Sequence, residues 1–434
     1  MRLAGRLSAA IEVLDDILGR HRPASAALAD WGRGHRFAGS GDRSAIGTLV
    51  YDALRKRASL GQRMGDDSPR SLALGALRWV WALRADEIAA LCDDSQHAPA
   101  PLTPEELQRL ESDAAPSMPA WAAADVPEWL YPDFAAAFGE ASIAEGQALA
   151  ERAPIDLRVN TLKADRHRLL KALDKYHPAA TPFSPTGVRI PPPGPLEKNP
   201  NIEAEAAHGR GWFEVQDEAS QIAVLLSGAA PRLQVLDLCA GSGGKTLGMA
   251  ALMQNTGQIH AYDSDKLRLR PIFERLKRAG ARNVQLLPAG DPGALDGLHG
   301  KMDVVLADAP CSGSGVWRRR PDAKWRLTPE ALLARTDDQR QVLSLAAPLV
   351  KPGGRLVYAT CSVIAAENAD QIRWFLSAFP DFKERAWRDL WPSSAPSAPT
   401  ASNNGEPALQ LTPYRHATDG FYISILERSA QPPR

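Results

Sequence analysis

The stretch VLDLCAGSGGKT occupies residues 235–246 and decides the fold class. It begins with an apolar run typical of a buried strand, continues into a glycine-rich turn, and reaches Lys245, where a helical pattern starts. A strand that passes through such a turn into a helix is typical of a parallel α/β sheet, and ligands bind at the carboxyl ends of the strands in these sheets. The stretch therefore predicts a ligand site at its glycine turn.

Three kinds of ligand can be weighed at this turn. A phosphate-binding P-loop needs glycine at position 239, where the chain has Cys239. The dinucleotide fingerprint needs glycine at position 246, where the chain has Thr246. A turn that binds S-adenosylmethionine needs only a strand, an acidic residue and a glycine-rich turn, and all three are present. The turn therefore favours S-adenosylmethionine.

Strand and helix patterns alternate on both sides of this turn. The predicted strands are 233–239, 258–263, 283–289, 302–307 and 354–360, with a last strand near 420–427, and the predicted helices are 245–254, 266–279, 329–350 and 366–379. This alternation predicts an α/β fold with a doubly wound, mostly parallel, Rossmann-like sheet. Asp263 ends the second strand, where a carboxylate can accept ribose hydroxyl protons, and Asp291 ends the third, near the expected adenine edge.

The 434 residues are too many for one core, and the character of the sequence changes twice along them. Residues 1–145 show helical spacing without strand alternation and are predicted to form an all-α domain. Residues 146–210 are predicted to form a small α+β unit. Residues 211–434 are predicted to form the catalytic domain.

Composition excludes several classes of protein. Lys and Arg balance Asp and Glu, so no overall field attracts nucleic acid, and any basic surface must be local. Four cysteines without a Cys-x-x-Cys pair indicate neither a disulfide framework nor a zinc site, and we expect no metal. No stretch has the roughly 20 apolar residues that cross a bilayer. We expect a cytoplasmic monomer without membrane contact.

Two cysteines follow the predicted strands 302–307 and 354–360 in matching contexts. Asp308-Ala309-Pro310-Cys311-Ser312 follows the first strand, and Tyr358-Ala359-Thr360-Cys361-Ser362 closes the second. Both thiols should therefore lie at the ligand edge of the sheet. Carbon 5 of a pyrimidine is a poor nucleophile until a thiolate adds to carbon 6. Methylation at carbon 5 therefore needs a cysteine in the pocket. The remaining cysteines, Cys92 and Cys239, are interpreted as packing residues.

These motifs together resemble those of a known family. The segments DLCAGSGGKT (237–246), DAPCSGSG (308–315) and YATCSV (358–363) are similar to those of the Sun (Fmu) family of RNA cytosine-5 methyltransferases. RVNT (158–161), VQDEAS (215–220) and TDGFY (418–422) extend the resemblance over residues 155–428. GDR (41–43) and LVYDALR (49–55) also resemble the helical domain, of antitermination-factor type, in the small-subunit rRNA branch. This resemblance implies that residues 1–145 bind RNA and that residues 146–210 link the domains or bind RNA.

The resemblance implies a role for each motif residue. Cys361 would be the nucleophile, Cys311 would assist release of the RNA, and Asp308 would contact both the cytosine and the cofactor. In DNA cytosine-5 methyltransferases the Pro-Cys thiol is the nucleophile instead, so exchanged roles stay open. The implied cofactor-binding residues are Cys239, Ala240, Gly241, Ser242, Gly243, Gly244, Lys245, Asp263, Asp291 and Asp308, with Lys245 also close to the catalytic site. The family often has proline where this chain has Ser242.

A basic strip follows Cys311. It combines two tryptophans with cationic residues that can neutralise phosphates: Arg318, Arg319, Arg320, Lys324 and Arg326. We predict that this strip contacts RNA at an unstacked cytosine, because carbons 5 and 6 are inaccessible within a stacked helix. The sequence thus predicts a methyltransferase that modifies carbon 5 of cytosine in 16S rRNA. The same chemistry on tRNA and a non-catalytic RNA-binding assembly factor are the alternatives.

Overall fold

The computed structural model describes residues 1–114, 116–194, 197, 200–400 and 407–430. They form two compact units. The first comprises Met1–Arg152, Pro192–Pro200 and Val316–Leu327, and the second comprises Ala153–Pro191, Asn201–Gly315 and Thr328–Arg434. The predicted domain boundaries near 145 and 210 stay predictions.

Helices occur in both units. The α-helices of the described residues are α1 Leu3–Arg20, α2 Ala24–Gly34, α3 Ser40–Arg55, α4 Arg57–Met64, α5 Pro69–Trp79, α6 Ala85–Ala89, α7 Pro104–Glu111, α8 Ala120–Ala123, α9 Tyr131–Phe138, α10 Ser142–Leu149, α11 Arg166–Ala172, α12 Ala206–Gly209, α13 Glu218–Ser227, α14 Gly244–Leu252, α15 Lys266–Leu269, α16 Ile272–Ala279, α17 Pro321–Arg326, α18 Pro329–Ala346, α19 Ala369–Ala378 and α20 Pro413–His416. The predicted helix 266–279 is in fact two helices, α15 and α16. Pro271 separates them because proline lacks an N–H and clashes with the preceding turn.

All strands of the described residues lie in the second unit. They are β1 Ile155–Val159, β2 Ala179–Ala180, β3 Gly187–Ile190, β4 Phe213–Val215, β5 Gln234–Asp237, β6 Gln258–Ala261, β7 Val284–Leu286, β8 Met302–Asp308, β9 Val350–Thr360, β10 Phe382–Arg385, β11 Leu409–Leu411 and β12 Phe421–Arg428. Strands β1 to β4 form a small antiparallel sheet in the order β2-β3-β1-β4. The large sheet has the order β10-β12-β9-β8-β5-β6-β7, and β11 pairs with β12.

The large sheet is parallel from β9 to β7 and antiparallel where β12 joins β9. This arrangement confirms the predicted doubly wound, mostly parallel fold. Val305 and Ala307 of β8 pack into the core on one face, and Val304 and Leu306 pack into the core on the other. Both faces are buried because helices cover them, which explains why the sequence shows continuous apolar runs rather than alternation.

The helical unit is built around apolar faces at helical spacing. Helix α1 buries Leu7, Leu14 and Ile17 in one core that also takes buried residues from α3 and α5. This unit also contains Val316–Leu327, which the sequence assigned to the catalytic domain. That segment includes α17 and is fixed by the Trp325 indole, which donates to the Leu54 carbonyl at 2.6 Å.

Candidate functional site

The glycine turn between β5 and α14 needs glycine for two different reasons. Gly241 and Gly243 have φ angles of 51° and 86°, a region that side chains rarely adopt. A Cβ on Gly243 would lie 2.4 Å from Cγ1 of Ile272, so this position also lacks space. A Cβ on Gly241 would meet nothing within 3.8 Å, which leaves room for a ligand against the backbone.

The turn offers backbone donors from a fixed position. Helix α14 begins at Gly244, so the N–H groups of its first turn, including that of Lys245, have no partner within the helix. The N–H of Ala240 donates to the Tyr262 carbonyl at 2.9 Å, and the N–H of Gly243 donates to the Ala240 carbonyl at 2.8 Å. These two bonds hold the shape of the turn. Arg275 tethers Ser242 by donating to its carbonyl at 2.9 Å and to its hydroxyl at 2.7 Å. The turn is therefore held in place although it lacks the proline common in the resembling family.

Asp263 and Asp291 lie in the loops that follow β6 and β7. Asp263 is buried, and its carboxylate accepts from the backbone of Gly241 and Asp265, each at 2.8 Å. Asp291 is exposed and accepts from the Gly293 N–H at 3.0 Å. Gly241, an implied cofactor ligand, is thus bonded directly to Asp263. Both aspartates remain predicted cofactor ligands.

Asp237 and Cys239 lie at the base of the turn, where Asp237 is buried and Cys239 is half-buried. Burial raises the pKa of Asp237 to about 7, and its Oδ2 accepts from the Thr246 hydroxyl at 2.6 Å. Its Oδ1 has no hydrogen-bond partner among the described residues. Burial and the nearby carboxylates of Asp308 and Asp263 raise the pKa of the Cys239 thiol. Cys239 therefore stays neutral, in agreement with a packing role.

Lys245 and Asp308 link the glycine turn to the cysteine loops. The Lys245 ammonium lies 2.6 Å from Asp308 Oδ2, and the lysine side chain is 11% exposed. The same ammonium lies 5.0 Å from the ring centroid of Phe421 at the start of β12. A cation in this position is attracted by the carboxylate and by the ring face. The fold thus brings Lys245 and Asp308 together, and the ring of Phe421 lies beside the Lys245 ammonium.

The two predicted thiols are in direct contact. Strands β8 and β9 pair in parallel with Asp308 opposite Ala359, so Cys311 and Cys361 follow neighbouring strand ends. Their sulfurs are 3.4 Å apart. The hydrogen bond to Cys361, together with burial, raises the pKa of Cys311 well above its ordinary value. Cys311 therefore keeps its proton as a thiol, and either sulfur can be the donor in this contact.

The cysteine loops approach the segment before β12 closely. The N–H of Gly315 donates to the Cys361 carbonyl at 3.0 Å, and the N–H of Gly420 donates to the Gly315 carbonyl at 2.9 Å. A Cβ on Gly315 would lie 2.0 Å from the Gly420 carbonyl oxygen. Glycine at this position is thus required for the backbone contact that orders the Cys361 loop.

The basic strip is only partly on the surface. Arg318 and Lys324 are buried within the helical unit, and Lys324 donates to the Arg55 carbonyl at 2.9 Å. Burial lowers the pKa of Lys324 to about 8. Buried side chains cannot reach phosphates without a rearrangement, so RNA contact by Arg318 and Lys324 stays a prediction that requires this segment to rearrange. Exposed Arg320 and Arg326, and half-buried Arg319, stay predicted RNA contacts.

Glu367, Asn368 and Phe421 are the side chains around the cysteines that sequence reasoning did not assign. Glu367 and Asn368 are fully buried beside the Cys361 loop. Adjacent polar residues at the start of a helix normally suggest a cap, so nothing in the local pattern indicates that these two side chains are buried. Phe421 belongs to a quoted segment, but nothing in the local pattern indicates its contact with Lys245.

Two further expectations concern metals and membranes. Among the described residues, no three His, Cys, Asp or Glu side chains are grouped so that they could hold a metal ion. Every helix in the described ranges falls short of the length and apolar character needed to cross a bilayer.

Comparison with known proteins gives matches along most of the chain. The family described as 16S rRNA methyltransferase RsmB/F matches residues 225–427, and a ferredoxin-like domain of RsmF/B-like methyltransferases matches residues 126–197. The probable ribosomal RNA small subunit methyltransferase B of Synechocystis sp. is 32% identical over 309 residues, which cover 70% of this chain and 67% of the relative. The ribosomal RNA small subunit methyltransferase B of Cronobacter sakazakii is 36% identical over 59% of this chain and 58% of the relative.

Two solved structures are also similar to this chain. The crystal structure of PH0851 is 27% identical, covers 99% of both chains and has a TM-score of 0.72. A methyltransferase homolog protein from Pyrococcus horikoshii is also 27% identical, covers 71% of this chain and 97% of its own, and has a TM-score of 0.59. The first of these similarities extends over the helical unit as well as the sheet.

Proposed function

Because the chain belongs to the RsmB/F family of methyltransferases, we propose that it methylates carbon 5 of a cytosine in small-subunit ribosomal RNA. The reaction passes through a covalent bond between Cys361 and carbon 6 of the base. The observation that carries this proposal is the pair of thiols, 3.4 Å apart at neighbouring strand ends. A methyltransferase acting on an amine or a sugar hydroxyl needs neither thiol.

The cofactor of this family of methyltransferases is S-adenosylmethionine, which when bound supplies an electrophilic methyl group. The turn fits such a molecule, since Gly241 is open to a ligand and the first N–H groups of α14 are without helical partners. In our proposal these groups, Asp263 and Asp291 hold the cofactor. The buried Oδ1 of Asp237 is a further polar atom available beneath the turn.

Cys361 starts the reaction on the base. Its sulfur adds as a thiolate to carbon 6, and the electron pair of the carbon 5–carbon 6 double bond moves so that carbon 5 becomes nucleophilic. Asp308 faces the same edge and contacts the cytosine, while its ion pair with Lys245 keeps its carboxylate in place. Carbon 5 would then take the methyl group as the methyl–sulfonium bond breaks, with the electron pair of that bond staying on the sulfur of the departing thioether.

Cys311 acts when the enzyme leaves the base. The carbon 5 proton is lost to a base, the double bond re-forms, and the sulfur–carbon 6 bond breaks with its electron pair returning to Cys361. The Cys311 thiol donates to the departing sulfur, which stabilises the negative charge that forms there. The raised pKa of Cys311 supports this assignment, because a donor must retain its proton.

Single-cysteine variants test both roles. Cys311→Ala should accumulate a denaturant-stable adduct between protein and RNA, because release is slowed while addition continues. Cys361→Ala should form no adduct. Denaturing gel electrophoresis with labelled RNA and S-adenosylmethionine measures this, and Cys92→Ala is the matched control, since Cys92 is buried in the helical unit. Adduct in Cys361→Ala but not in Cys311→Ala would show that the two thiols exchange roles.

The choice of RNA needs a separate experiment. The relatives' names refer to small-subunit ribosomal RNA, which supports this substrate over tRNA. Bisulfite mapping of both RNAs from a deletion strain should show a cytosine in 16S rRNA that loses its methyl group and regains it with the wild-type gene but not with Cys361→Ala. If a methyl group disappears from tRNA alone, tRNA is the substrate instead of 16S rRNA. If Cys361→Ala fully restores the wild-type phenotype of the deletion strain, the protein is a non-catalytic assembly factor.

A further inference from the structure

One buried carboxylate, that of Glu367, binds the residues that directly follow both cysteines. Its Oε1 accepts from the Ser312 N–H at 2.7 Å, and its Oε2 accepts from the Ser312 hydroxyl at 2.5 Å. The same Oε2 accepts from the Ser362 hydroxyl at 2.5 Å. Ser312 follows Cys311 and Ser362 follows Cys361, so a single side chain joins the two catalytic loops.

The residue after Glu367 holds the Cys361 loop from two further positions. The Thr360 hydroxyl donates to Asn368 Oδ1 at 2.6 Å, and Asn368 Nδ2 donates to the Ser362 carbonyl at 3.0 Å. The residues on both sides of Cys361 are therefore bonded to the Glu367–Asn368 pair. This leaves the backbone at Cys361 little freedom to turn its sulfur away from Cys311.

A charged group at this position is costly unless its oxygens are satisfied, because Glu367 has no exposed surface. Four donors satisfy it, the fourth being Gln339 Nε2 at 3.1 Å from Oε1. Gln339 also donates to the Pro310 carbonyl at 3.0 Å, on the other side of Cys311. The Cys311 loop is thus bound to the same network on both sides of its thiol.

We propose that Glu367 is a positioning residue for release of the methylated base, in which it fixes the Cys311 thiol as a hydrogen-bond donor to the Cys361 sulfur. This inference deepens the proposed function and rests on it for its catalytic meaning. The negative charge of Glu367 also contributes to the raised pKa of Cys311, after the hydrogen bond to Cys361 and burial. Glu367 acts through Cys311 and does not itself touch the base.

A thiol titration tests the proposal without RNA or cofactor. In a Cys361→Ala background, alkylation of Cys311 by iodoacetamide is followed against pH by peptide mass spectrometry. Adding Glu367→Gln should lower the apparent pKa of Cys311, because a neighbouring negative charge is removed. The matched control is Glu384→Gln, since Glu384 also lies within the fold and accepts from a serine hydroxyl, Ser424, at 2.6 Å. An unchanged Cys311 pKa, or an equal change in the control, would overturn the proposal.

Turnover supplies the second measurement, with Glu367→Gln and Ser312→Ala in the otherwise intact protein. Ser312→Ala removes only one donor and keeps the charge, so it remains informative if Glu367→Gln does not fold. Both variants should lower kcat with little change in KM for RNA, the first by about tenfold or more, and both should accumulate adduct as Cys311→Ala does. Wild-type kcat and no adduct in both would refute positioning. If wild type methylates no cytosine, the proposed function fails, whereas the thiol titration still decides the role of Glu367.

Discussion

The glycine turn and the cysteine loops lie at the same edge of the sheet but are built in opposite ways. Backbone geometry shapes the turn, because Gly241 and Gly243 adopt positive φ angles that other residues rarely reach. Side chains shape the cysteine loops, where Glu367 and Asn368 bind serines and a threonine beside the thiols. In the proposed function the turn binds the cofactor, whereas the loops carry the two reacting thiols. Substitutions should therefore act through different properties in the two regions.

The largest expected difference is between two cysteines, one from each region. Cys361→Ala should lower the methylation rate roughly 10⁴-fold or more, because it removes the nucleophile. Cys239→Ala should cost less than about tenfold, because a small neutral side chain is replaced by another and the backbone of the turn is kept. Single-turnover assays with tritiated S-adenosylmethionine measure both. If both variants lost the same fraction of the methylation rate, the two regions would not differ in how they depend on their cysteines.

Gly243→Ala tests whether the backbone conformation of the turn is what binds the cofactor. Alanine at a φ of 86° is strained, and its Cβ would collide with Ile272. We expect at least about tenfold weaker binding of S-adenosylmethionine and a loss of about 2 kcal/mol or more in stability. Calorimetric titration and thermal unfolding measure these effects. Gly297→Ala is the control, since a Cβ there meets nothing within 4 Å, and a wild-type Kd for Gly243→Ala would contradict the explanation.

Asp237, at the base of the turn, makes the stability of the fold depend on pH. Burial raises its pKa to about 7, against about 3.9 for an unfolded aspartate, so the folded protein holds the proton more tightly. The resulting stability is complete below about pH 4 and is lost as the pH rises through 7. Asp237→Asn cannot titrate, so its stability relative to wild type should rise by about 2 kcal/mol from pH 5 to pH 8. Urea denaturation at both pH values measures this, and parallel curves would exclude a titrating Asp237.

Ser242→Ala should have the smallest effect. The variant loses one hydrogen bond from Arg275 but keeps the bond from Arg275 to the carbonyl of residue 242. A single bond of this kind changes a binding constant by no more than about fivefold. Titration with S-adenosylmethionine checks this value. A much larger loss would mean that the serine side chain itself binds the ligand, which would make the turn more like the cysteine loops.

The sequence alone determined the α/β class, the mostly parallel sheet, the glycine turn and the placement of both thiols at strand ends. Apolar runs and turn residues are local signals, and parallel strands bring their carboxyl ends to one edge whatever the loops do. The exact helix ends and the break at Pro271 were less well predicted, because propensity is weak over a few residues.

Only the tertiary structure decided which side chains surround the thiols. Glu367 meets Ser312 across 55 positions of sequence, and Phe421 reaches Lys245 because β12 inserts antiparallel beside β9. The burial of Arg318 and Lys324 likewise follows from packing within the helical unit. A run of charges looks the same in sequence whether it is solvated or buried, because burial depends on distant partners that satisfy the charges. Such partners become known only when the chain is folded.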